Sequence, residues 1–229
     1  MPTLLLRLAA PLQSWGSDSK FETRRTEKMP TKSGVVGLLA AAQGLRRDAD
    51  LSRLNELKFG VRADREGVDI TDFHTAKKTK ESYVTYRHYL SDAVFLAAVE
   101  GDKDFLNELA YALQHPKFPL FLGRRSCPPT LPIVVGIKDF PLEKALKDTP
   151  LLIENTSARG KEKMVRVRIE TDNRDAGMVQ DLPISFDPRR RVYGYRKVRE
   201  YFVELNIDDS EQTELSDTIT EHDAMSELR

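Results

Sequence analysis

The stretch AVFLAAVEGDKDFLNELAYAL, residues 93–113, decides the fold class. Its first seven residues are all apolar, which is typical of a buried strand. Asp102 and Asp104 follow closely, and either side chain can cap the start of a helix. The apolar residues beyond them recur at helical spacing: Phe105, Leu106, Leu109, Ala112 and Leu113. The sequence therefore predicts a strand over 93–99 followed directly by a helix that ends before Pro116.

The segments on either side of this stretch extend the alternation of strands and helices. The predicted elements are, in chain order, strand 3–9, helix 35–42, strand 57–63, strand 93–99, helix 105–113 and strand 131–137. This is the order of a ferredoxin-like fold, a sheet with two helices on one face. An extra strand at 68–73 or 84–90 is expected to be an insertion.

The rest of the chain is predicted to be rich in strands. After a short helix over 142–147, residues 163–170 alternate strictly between apolar and polar side chains, and residues 200–205 form a further strand. The basic run Arg189–Lys197 lies between these two strands. We therefore predict an α+β protein with three parts: a ferredoxin-like domain at 1–140, a strand-rich part at 141–206 and a disordered acidic tail at 207–229.

Charge is unevenly distributed along the chain. The 36 acids and 36 bases balance overall, but eight acids and one base lie in residues 207–229. Residues 1–206 are left with 35 bases and 28 acids, a net charge near +7, and the tail carries a net charge near −7. A basic body suggests an anionic partner such as a nucleic acid. The alternative is an ordinary solvated surface with a disordered tail.

Several functional classes are disfavoured by motifs that the sequence lacks. The longest uncharged apolar run, residues 34–42, is about half the length of a membrane helix, and the N-terminus has no signal-peptide pattern. We therefore expect no membrane partner and a cytoplasmic location. The single cysteine, Cys127, excludes an internal disulfide and multi-cysteine metal sites. Without a histidine pair, phosphate loop or hydrolase nucleophile motif, we predict no metal, no cofactor and no catalytic residue.

Two segments near the N-terminus carry residue types that suit RNA. In Pro11–Gly16, the only tryptophan, Trp15, either stacks on a base or fills the core beneath the loop, whereas Gln13 and Ser14 are expected to be free for a ligand. At Ser33–Gly34, a predicted helix start attracts phosphate through its amides or is simply capped. The basic side chains that lead into this helix are Arg24, Arg25, Lys28 and Lys32.

Two later segments are also basic. Residues 71–90 interleave lysines with tyrosines, a pattern that suits single-stranded nucleic acid on a hairpin and equally a solvated loop. Leu122–Pro129 holds Arg124 and Arg125 between a glycine and two prolines. Their guanidinium groups either match the geometry of phosphate or bind carbonyls and acids within the protein.

Five short blocks occur in an order that resembles a known family. They are Pro11–Gly16, Pro30–Leu39, Asp72–Thr75, Tyr89–Ala93 and Leu122–Pro128. Together they resemble the CRISPR-associated RAMP subunit that holds the 5′ handle of the guide RNA (crRNA), in its type I-E form within the Cascade complex. The resemblance covers residues 3 to about 137.

This resemblance implies a ferredoxin-like palm with an inserted β-hairpin thumb at about 75–90. It also implies a non-catalytic subunit that grips the crRNA 5′ handle and caps a filament of backbone RAMP subunits. The large target-recognition subunit is a further expected partner. Target DNA is expected to bind only to the assembled complex. Sequence recognition of the DNA is then left to base pairing. The expected role is RNA-guided antiviral defence.

The resemblance assigns RNA contact to residues at matching positions of the blocks. These are Gln13, Ser14, Trp15, Arg24, Lys32, Ser33, Gly34, His74, Thr75, Arg124, Arg125 and Ser126. Arg124 and Arg125 are alternatively expected to brace the palm.

Other interpretations stay open. In another subtype, the relative of this subunit is a metal-independent endoribonuclease, for which His74 or His88 with Tyr86, Lys77 or Lys78 would supply the acid and base. A different interpretation sets the resemblance aside, and the basic surface then binds an acidic protein. A further hypothesis is that the acidic tail occupies the RNA groove before assembly.

Overall fold

The computed structural model describes residues 1–16, 19–20, 22–78, 81–153 and 162–206. The predicted acidic tail at 207–229 lies outside the described residues. Within the described part, no helix is long and apolar enough to cross a membrane.

The described residues form four helices and twelve strands. The helices are α1 (Lys32–Gln43), α2 (Ser52–Asn55), α3 (Lys103–Gln114) and α4 (Leu142–Asp148). The strands are β1 (Thr3–Ala9), β2 (Leu12–Gln13), β3 (Ser19–Lys20), β4 (Thr23–Arg24), β5 (Lys58–Arg65), β6 (Val68–Lys78), β7 (Glu81–Ser91), β8 (Val94–Glu100), β9 (Val134–Lys138), β10 (Glu162–Glu170), β11 (Gly177–Ser185) and β12 (Val192–Asn206). The prediction of a mixed, strand-rich α/β chain is confirmed.

The main sheet has seven strands in the order β11-β12-β10-β5-β8-β1-β9. Strands β5, β8, β1 and β9 are antiparallel neighbours. In the chain, α1 lies between β1 and β5, and α3 lies between β8 and β9. These six elements follow the chain order that the sequence predicts, with the β6–β7 hairpin inserted between β5 and β8.

Strand β1 contributes side chains to two hydrophobic cores, because successive side chains of a strand point to opposite faces. Leu4, Leu6 and Leu8 are buried together with apolar side chains of α1 and α3. Leu5 is buried on the other face with side chains of α4 and with Val167 of β10. The sheet therefore has α1 and α3 on one face and α4 on the other.

The C-terminal part extends the same sheet because β10 pairs with β5. A buried ion pair between Arg62 and Asp64 of β5 ties α4 to this junction. Arg62 also donates to the carbonyl oxygens of Leu146 and Thr149, at 2.5 and 2.6 Å, at the end of α4. These bonds satisfy a guanidinium group that would otherwise be costly to bury.

A second sheet has five strands, in which β7 pairs with β2, β4 and β6, and β4 pairs with β3. The β6–β7 hairpin is antiparallel from the pair Val68–Ser91 to the pair Lys78–Glu81. It begins earlier than the insertion predicted at about 75–90, because the segments predicted at 68–73 and 84–90 are the two arms of one hairpin.

Candidate nucleic-acid interface

Four of the five sequence blocks meet at strand β7. Strand β2 pairs with it at Leu90 and Ser91, and β4 pairs with it at Tyr86 and Arg87. The turn at residues 122–127 lies in the same region, where Leu122 O accepts a backbone hydrogen bond of 3.2 Å from the Ser14 N–H. Ser14 belongs to the segment Pro11–Gly16, which we call the first loop. We refer to the exposed side chains of β4, β6, β7 and residues 122–127 as the β7 surface.

Gln13 and Ser14 are buried beneath this surface. The Gln13 amide nitrogen donates to a β1 carbonyl oxygen at 3.2 Å and to Ala93 O at 2.7 Å, and its amide oxygen accepts from the Trp15 indole at 3.1 Å. Ser14 Oγ donates to His88 O at 3.2 Å. The expectation that these side chains are free for a ligand is corrected: both hold the first loop in place.

Trp15 packs against the start of α1 and is 1% exposed. A Cβ at Gly34 would lie 2.7 Å from the nearest carbon of the Trp15 ring. Thr31 caps the helix by accepting a hydrogen bond from the Gly34 N–H at 3.2 Å, and the neighbouring Ser33 hydroxyl donates to Thr31. Of the two alternatives for Trp15, the structure supports the core position.

The start of α1 already holds a carboxylate from the same chain. Asp181 of β11 accepts a hydrogen bond from the Lys32 N–H at 2.8 Å and forms a buried two-point ion pair with Arg196. The Lys32 ammonium lies 2.9 Å from Glu170, and burial lowers its pKa although Glu170 acts in the opposite direction. A carboxylate is favoured at a helix N-terminus for the same reason as a phosphate. The Asp181 carboxylate therefore occupies the position that the sequence predicts for phosphate.

The turn at 122–127 has a fixed shape. It is closed by hydrogen bonds from Leu122 N–H to Cys127 O at 2.7 Å and from Cys127 N–H to Arg124 O at 2.9 Å. Gly123 has a φ of 86°, and a Cβ there would lie 1.6 Å from Ser14 O. Only glycine fits this position, so the turn presents its side chains in one geometry.

The two arginines of this turn have different surroundings. Arg124 is half-buried: its guanidinium donates to Arg24 O at 2.8 Å and lies 4.6 Å from the centre of the Tyr89 ring. Arg125 is exposed and has no side-chain partner among the described residues. Arg124 therefore braces the turn against β4 and β7, and Arg125, next to the exposed Ser126, is available to a ligand.

Cationic groups converge on the Tyr89 hydroxyl. This oxygen lies 3.5 Å from Ser126 Oγ. Burial acts to raise the pKa of Tyr89, but hydrogen bonds from Ser126, Arg124 and Arg87, with the charge of Arg124, outweigh it and lower the pKa overall. The positive potential that favours the phenolate also favours any anion bound at the β7 surface.

The pairing of β6 with β7 sorts the hairpin side chains into two faces, since direct partners share a face. One face carries Asp72, its partner Arg87, and His74, whose Nε2 lies 2.6 Å from the Asp72 carboxylate. The other face carries the partners Phe73 and Tyr86, which are 69% and 49% exposed. The Asp72–His74 pair and Arg87 therefore lie on one face of the hairpin, and the exposed rings of Phe73 and Tyr86 lie on the other.

The predicted contact residues fall into two groups. The exposed ones are Arg24, His74, Thr75, Arg125 and Ser126; the buried or half-buried ones are Gln13, Ser14, Trp15, Lys32, Ser33, Gly34 and Arg124. Arg24 and Ser126 meet at β7, His74 lies further out on the hairpin, and Thr75 lies on the opposite face. The exposed group supplies the side chains that a ligand can reach.

Two exposed or half-exposed residues were missed as contact candidates, Phe73 and Arg87. The alternation of polar and aromatic residues across 68–91 could have indicated them, because alternate residues of a strand share a face. The carboxylate at the start of α1 could not be found this way, since Asp181 and Lys32 are 149 positions apart.

Comparison with known proteins gives matches over most of the chain. The family model described as "CRISPR-associated protein (Cas_Cas5)" matches residues 3–199. The chain is 37% identical over 156 residues to "CRISPR system Cascade subunit CasD" of Escherichia coli (strain K12), an alignment that covers 58% of this chain and 70% of that protein.

Solved structures give the same result. A chain of a "CRISPR RNA-guided surveillance complex" aligns with a TM-score of 0.75 and 37% identity, over 89% of this chain and 91% of that one. A "Crystal structure of Cas protein" aligns with a TM-score of 0.71 and 41% identity, over 87% and 94%. The resemblance found in the five blocks thus extends into the C-terminal part, and the chain belongs to the CRISPR-associated Cas5 family of RAMP-type subunits.

Proposed function

We propose that this chain is a non-catalytic subunit of a type I-E CRISPR Cascade complex, in which it grips the 5′ handle of the crRNA. The β7 surface carries this proposal, because it exposes the guanidinium groups of Arg24 and Arg125, the imidazole of His74 and the hydroxyl of Ser126. Such groups bind phosphates, and exposed aromatic rings nearby stack on unpaired bases. The name of the CasD relative, a Cascade subunit, supports the same role.

In this proposal the main-sheet strands β1, β5, β8 and β9 with α1 and α3 form a ferredoxin-like palm at 1–140, and the β6–β7 hairpin is the thumb. The exposed pair Phe73 and Tyr86 suits packing against the neighbouring backbone RAMP subunit, since aromatic rings are enriched at protein interfaces. The strand-rich part at 141–206 extends the palm. The large target-recognition subunit is a further partner. The chain caps the filament of backbone subunits, and the cytoplasmic complex as a whole binds target DNA.

The buried residues among the predicted RNA contacts hold the surface in shape and do not touch RNA themselves. Gln13 and Ser14 hold the first loop, Trp15 fixes the start of α1, and Arg124 braces the turn that carries Arg125. Changing one of these residues should disturb the surface without removing a contact to RNA. This division of roles predicts different effects for Arg124 and Arg125, although they are adjacent.

The hairpin geometry separates the two histidines of the endoribonuclease alternative. Acid and base must reach the same phosphate in 2′-oxygen attack. His74 lies on the face of Asp72 and Arg87, whereas His88 lies on the opposite face, where its Nδ1 is 3.0 Å from the Thr71 hydroxyl. Of the candidate partners, Tyr86 and Lys77 share the face of His88 and not that of His74, so His88 with Tyr86 or Lys77 is the arrangement that a cleavage assay must exclude.

The test uses the purified full chain and labelled repeat RNA, as precursor and as processed handle, with EDTA present. Arg125→Ala should weaken handle binding about tenfold, which corresponds to the free energy of one charge-assisted hydrogen bond. It should not change the melting temperature. Arg124→Ala should lower the melting temperature as well. Arg47→Ala, an exposed arginine outside the β7 surface, is the charge-matched control and should leave both quantities unchanged.

Three outcomes speak against the proposal. Equal affinity for the handle and for a scrambled RNA favours a basic surface for an acidic protein. Equal effects of Arg125→Ala and Arg47→Ala mean that only net charge matters. Cleavage of the precursor that is abolished by His74→Ala or His88→Ala reverses the assignment in favour of the endoribonuclease.

A further inference from the structure

The basic run at Arg189–Lys197 lies outside the β7 surface and has no role in the proposed function. Its first three residues, Arg189, Arg190 and Arg191, connect β11 to β12 and are all exposed. Among the described residues, none of the three guanidinium groups has a carboxylate partner. The nearby arginines 166, 168, 196 and 199 all form ion pairs.

The connection is held in one shape by its own hydrogen bonds. Asp187 accepts from the Arg189 N–H through its carboxylate at 2.8 Å and from the Arg190 N–H through its carbonyl at 3.0 Å. Phe186 packs against the core beside α1, where a Cβ at Gly37 would lie 3.7 Å from its ring. The backbone that carries these three arginines is thus fixed in one conformation.

The cationic character continues along one face of β12. Tyr193, Tyr195 and Lys197 occupy alternate positions of β12 and so share a face, Arg191 lies just before the strand, and the intervening Arg196 is buried. Tyr195 is 58% exposed. We refer to Arg191, Tyr193, Tyr195 and Lys197 as the β12 stripe, which is about 20 Å long at the rise of an extended strand.

Helix α4 covers this face of β12 only beyond the stripe. Arg199 is the next residue of the same face, and it pairs with Glu143 of α4 at 2.7 Å and stacks on Tyr201 at 4.8 Å. Tyr201 packs against the α4 core. The stripe therefore lies beyond the contact with α4, with Arg191 and Tyr195 exposed and Tyr193 and Lys197 half-exposed.

We propose that the β12 stripe is a second binding site, for single-stranded nucleic acid. Arginine and lysine at its two ends bind backbone phosphates, and the two tyrosines between them stack on unpaired bases. Duplex nucleic acid offers the same phosphates but no free base faces. An acidic protein surface would engage the cations without needing the rings, so the interleaved tyrosines favour a single strand.

The test uses the full chain and a fluorescein-labelled oligothymidylate, which lacks any repeat sequence. Tyr195→Ala should weaken binding about tenfold, and Tyr195→Phe, which keeps the ring, should bind like the unchanged chain. Arg191→Gln with Lys197→Gln should reduce the slope of log affinity against log salt by about 1.4, or 0.7 per phosphate contact. Circular dichroism melting checks that each variant is folded.

The charge-matched control is Arg46→Gln with Arg47→Gln, two exposed residues beyond α1. An equal effect of this pair and the stripe pair overturns the site, because net charge alone would then explain binding. If the stripe charges matter but Tyr195→Ala does not, the site suits an acidic protein and the proposal is wrong. Handle RNA, measured in parallel with Arg125→Ala, separates failure of this site from failure of the proposed function.

Discussion

The turn that carries Arg125 depends on a single glycine. Gly123 combines a φ of 86° with a backbone oxygen, Ser14 O, only 1.6 Å from the place of a Cβ. Left-handed backbone in a non-glycine residue costs about 1–3 kcal/mol, and the clash forces the first loop to move as well. We expect Gly123→Ala to lower the free energy of unfolding by more than about 2 kcal/mol, measured by urea denaturation.

A second glycine supplies the control for this substitution. Gly177 at the start of β11 has no positive φ, and the nearest atom to an added Cβ is Val198 O at 3.9 Å. Gly177→Ala should therefore change stability by less than about 1 kcal/mol. Equal stabilities for the two variants would mean that the turn adapts without cost, and that Gly123 does not fix the geometry of Arg125.

Residue types in the sequence predict chemistry but not burial. Lys32 and Trp15 have side chains that suit RNA, yet Lys32 binds Glu170 from 138 positions away and Trp15 is enclosed by the start of α1. Both environments depend on which elements pack together, and no local pattern contains that information. Arg125 is different, because a position between glycine and proline already indicates an exposed turn.

Helix α1 and the C-terminal strands are joined by one buried carboxylate. Asp181 of β11 accepts from the first turn of α1 and from Arg196, and both members of this ion pair are buried. Removing one partner of a buried pair leaves an uncompensated charge, which costs about 3–5 kcal/mol. We expect Asp181→Asn to lower the free energy of unfolding by about that amount in urea denaturation.

An exposed ion pair gives the comparison for this prediction. Asp139 lies 3.3 Å from Lys103, and both side chains are mostly in solvent. Asp139→Asn should therefore change stability by less than about 1 kcal/mol. A similarly small change for Asp181→Asn would show that β11 is not held to α1 by this carboxylate.

The contact of α4 with β12 gives a stability effect at high pH. Burial, followed by the charge and hydrogen bond of Glu143, raises the pKa of Tyr201 from 10 to about 12. The folded chain thus holds this proton more tightly than the unfolded chain. The resulting stabilisation is complete below about pH 10 and is lost as the pH rises to about 12.

Tyr201→Phe removes this titration but keeps the ring. We expect the free energy of unfolding to fall more steeply between pH 10 and 12 for the unchanged chain than for the variant, measured by urea denaturation at several pH values in this window. Parallel pH profiles would contradict a raised pKa for Tyr201.

Element order was easier to predict than element pairing. Residues 93–113 give a strand and a helix directly from apolar spacing, and the structure has β8 and α3 there. The hairpin boundaries were missed because residues 68–73 and 84–90 each look like an isolated strand, and only their pairing makes them one unit. The parallel pairing of β4 with β7 involves two residues of β4, too few for a periodic pattern.

At the scale of the whole molecule, charge separates the described body from the segment that follows it. Residues 1–206 carry 35 bases and 28 acids, and residues 207–229 carry one base and eight acids. The last described strand ends beside β5: Leu205 pairs with Lys163, whose ammonium donates to Asp64 O at 2.8 Å. The hairpin begins four residues later in the chain, at Val68. The last described strand therefore ends near the base of the β7 surface, and the acidic segment follows it in the chain.

A tethered polyanion lowers the affinity of a cationic surface for RNA, whatever conformation it adopts. We expect deletion of residues 208–229 to strengthen handle binding several-fold at low salt, measured by fluorescence anisotropy, and the gain to vanish near 1 M salt, where charges are screened within about 3 Å. A tail of equal length with its acids replaced by Asn and Gln should match the deletion. If the neutral tail instead binds like the unchanged chain, length rather than charge is responsible. Unchanged affinity in both variants would mean that the RNA-binding surface lies beyond the electrostatic reach of the tail.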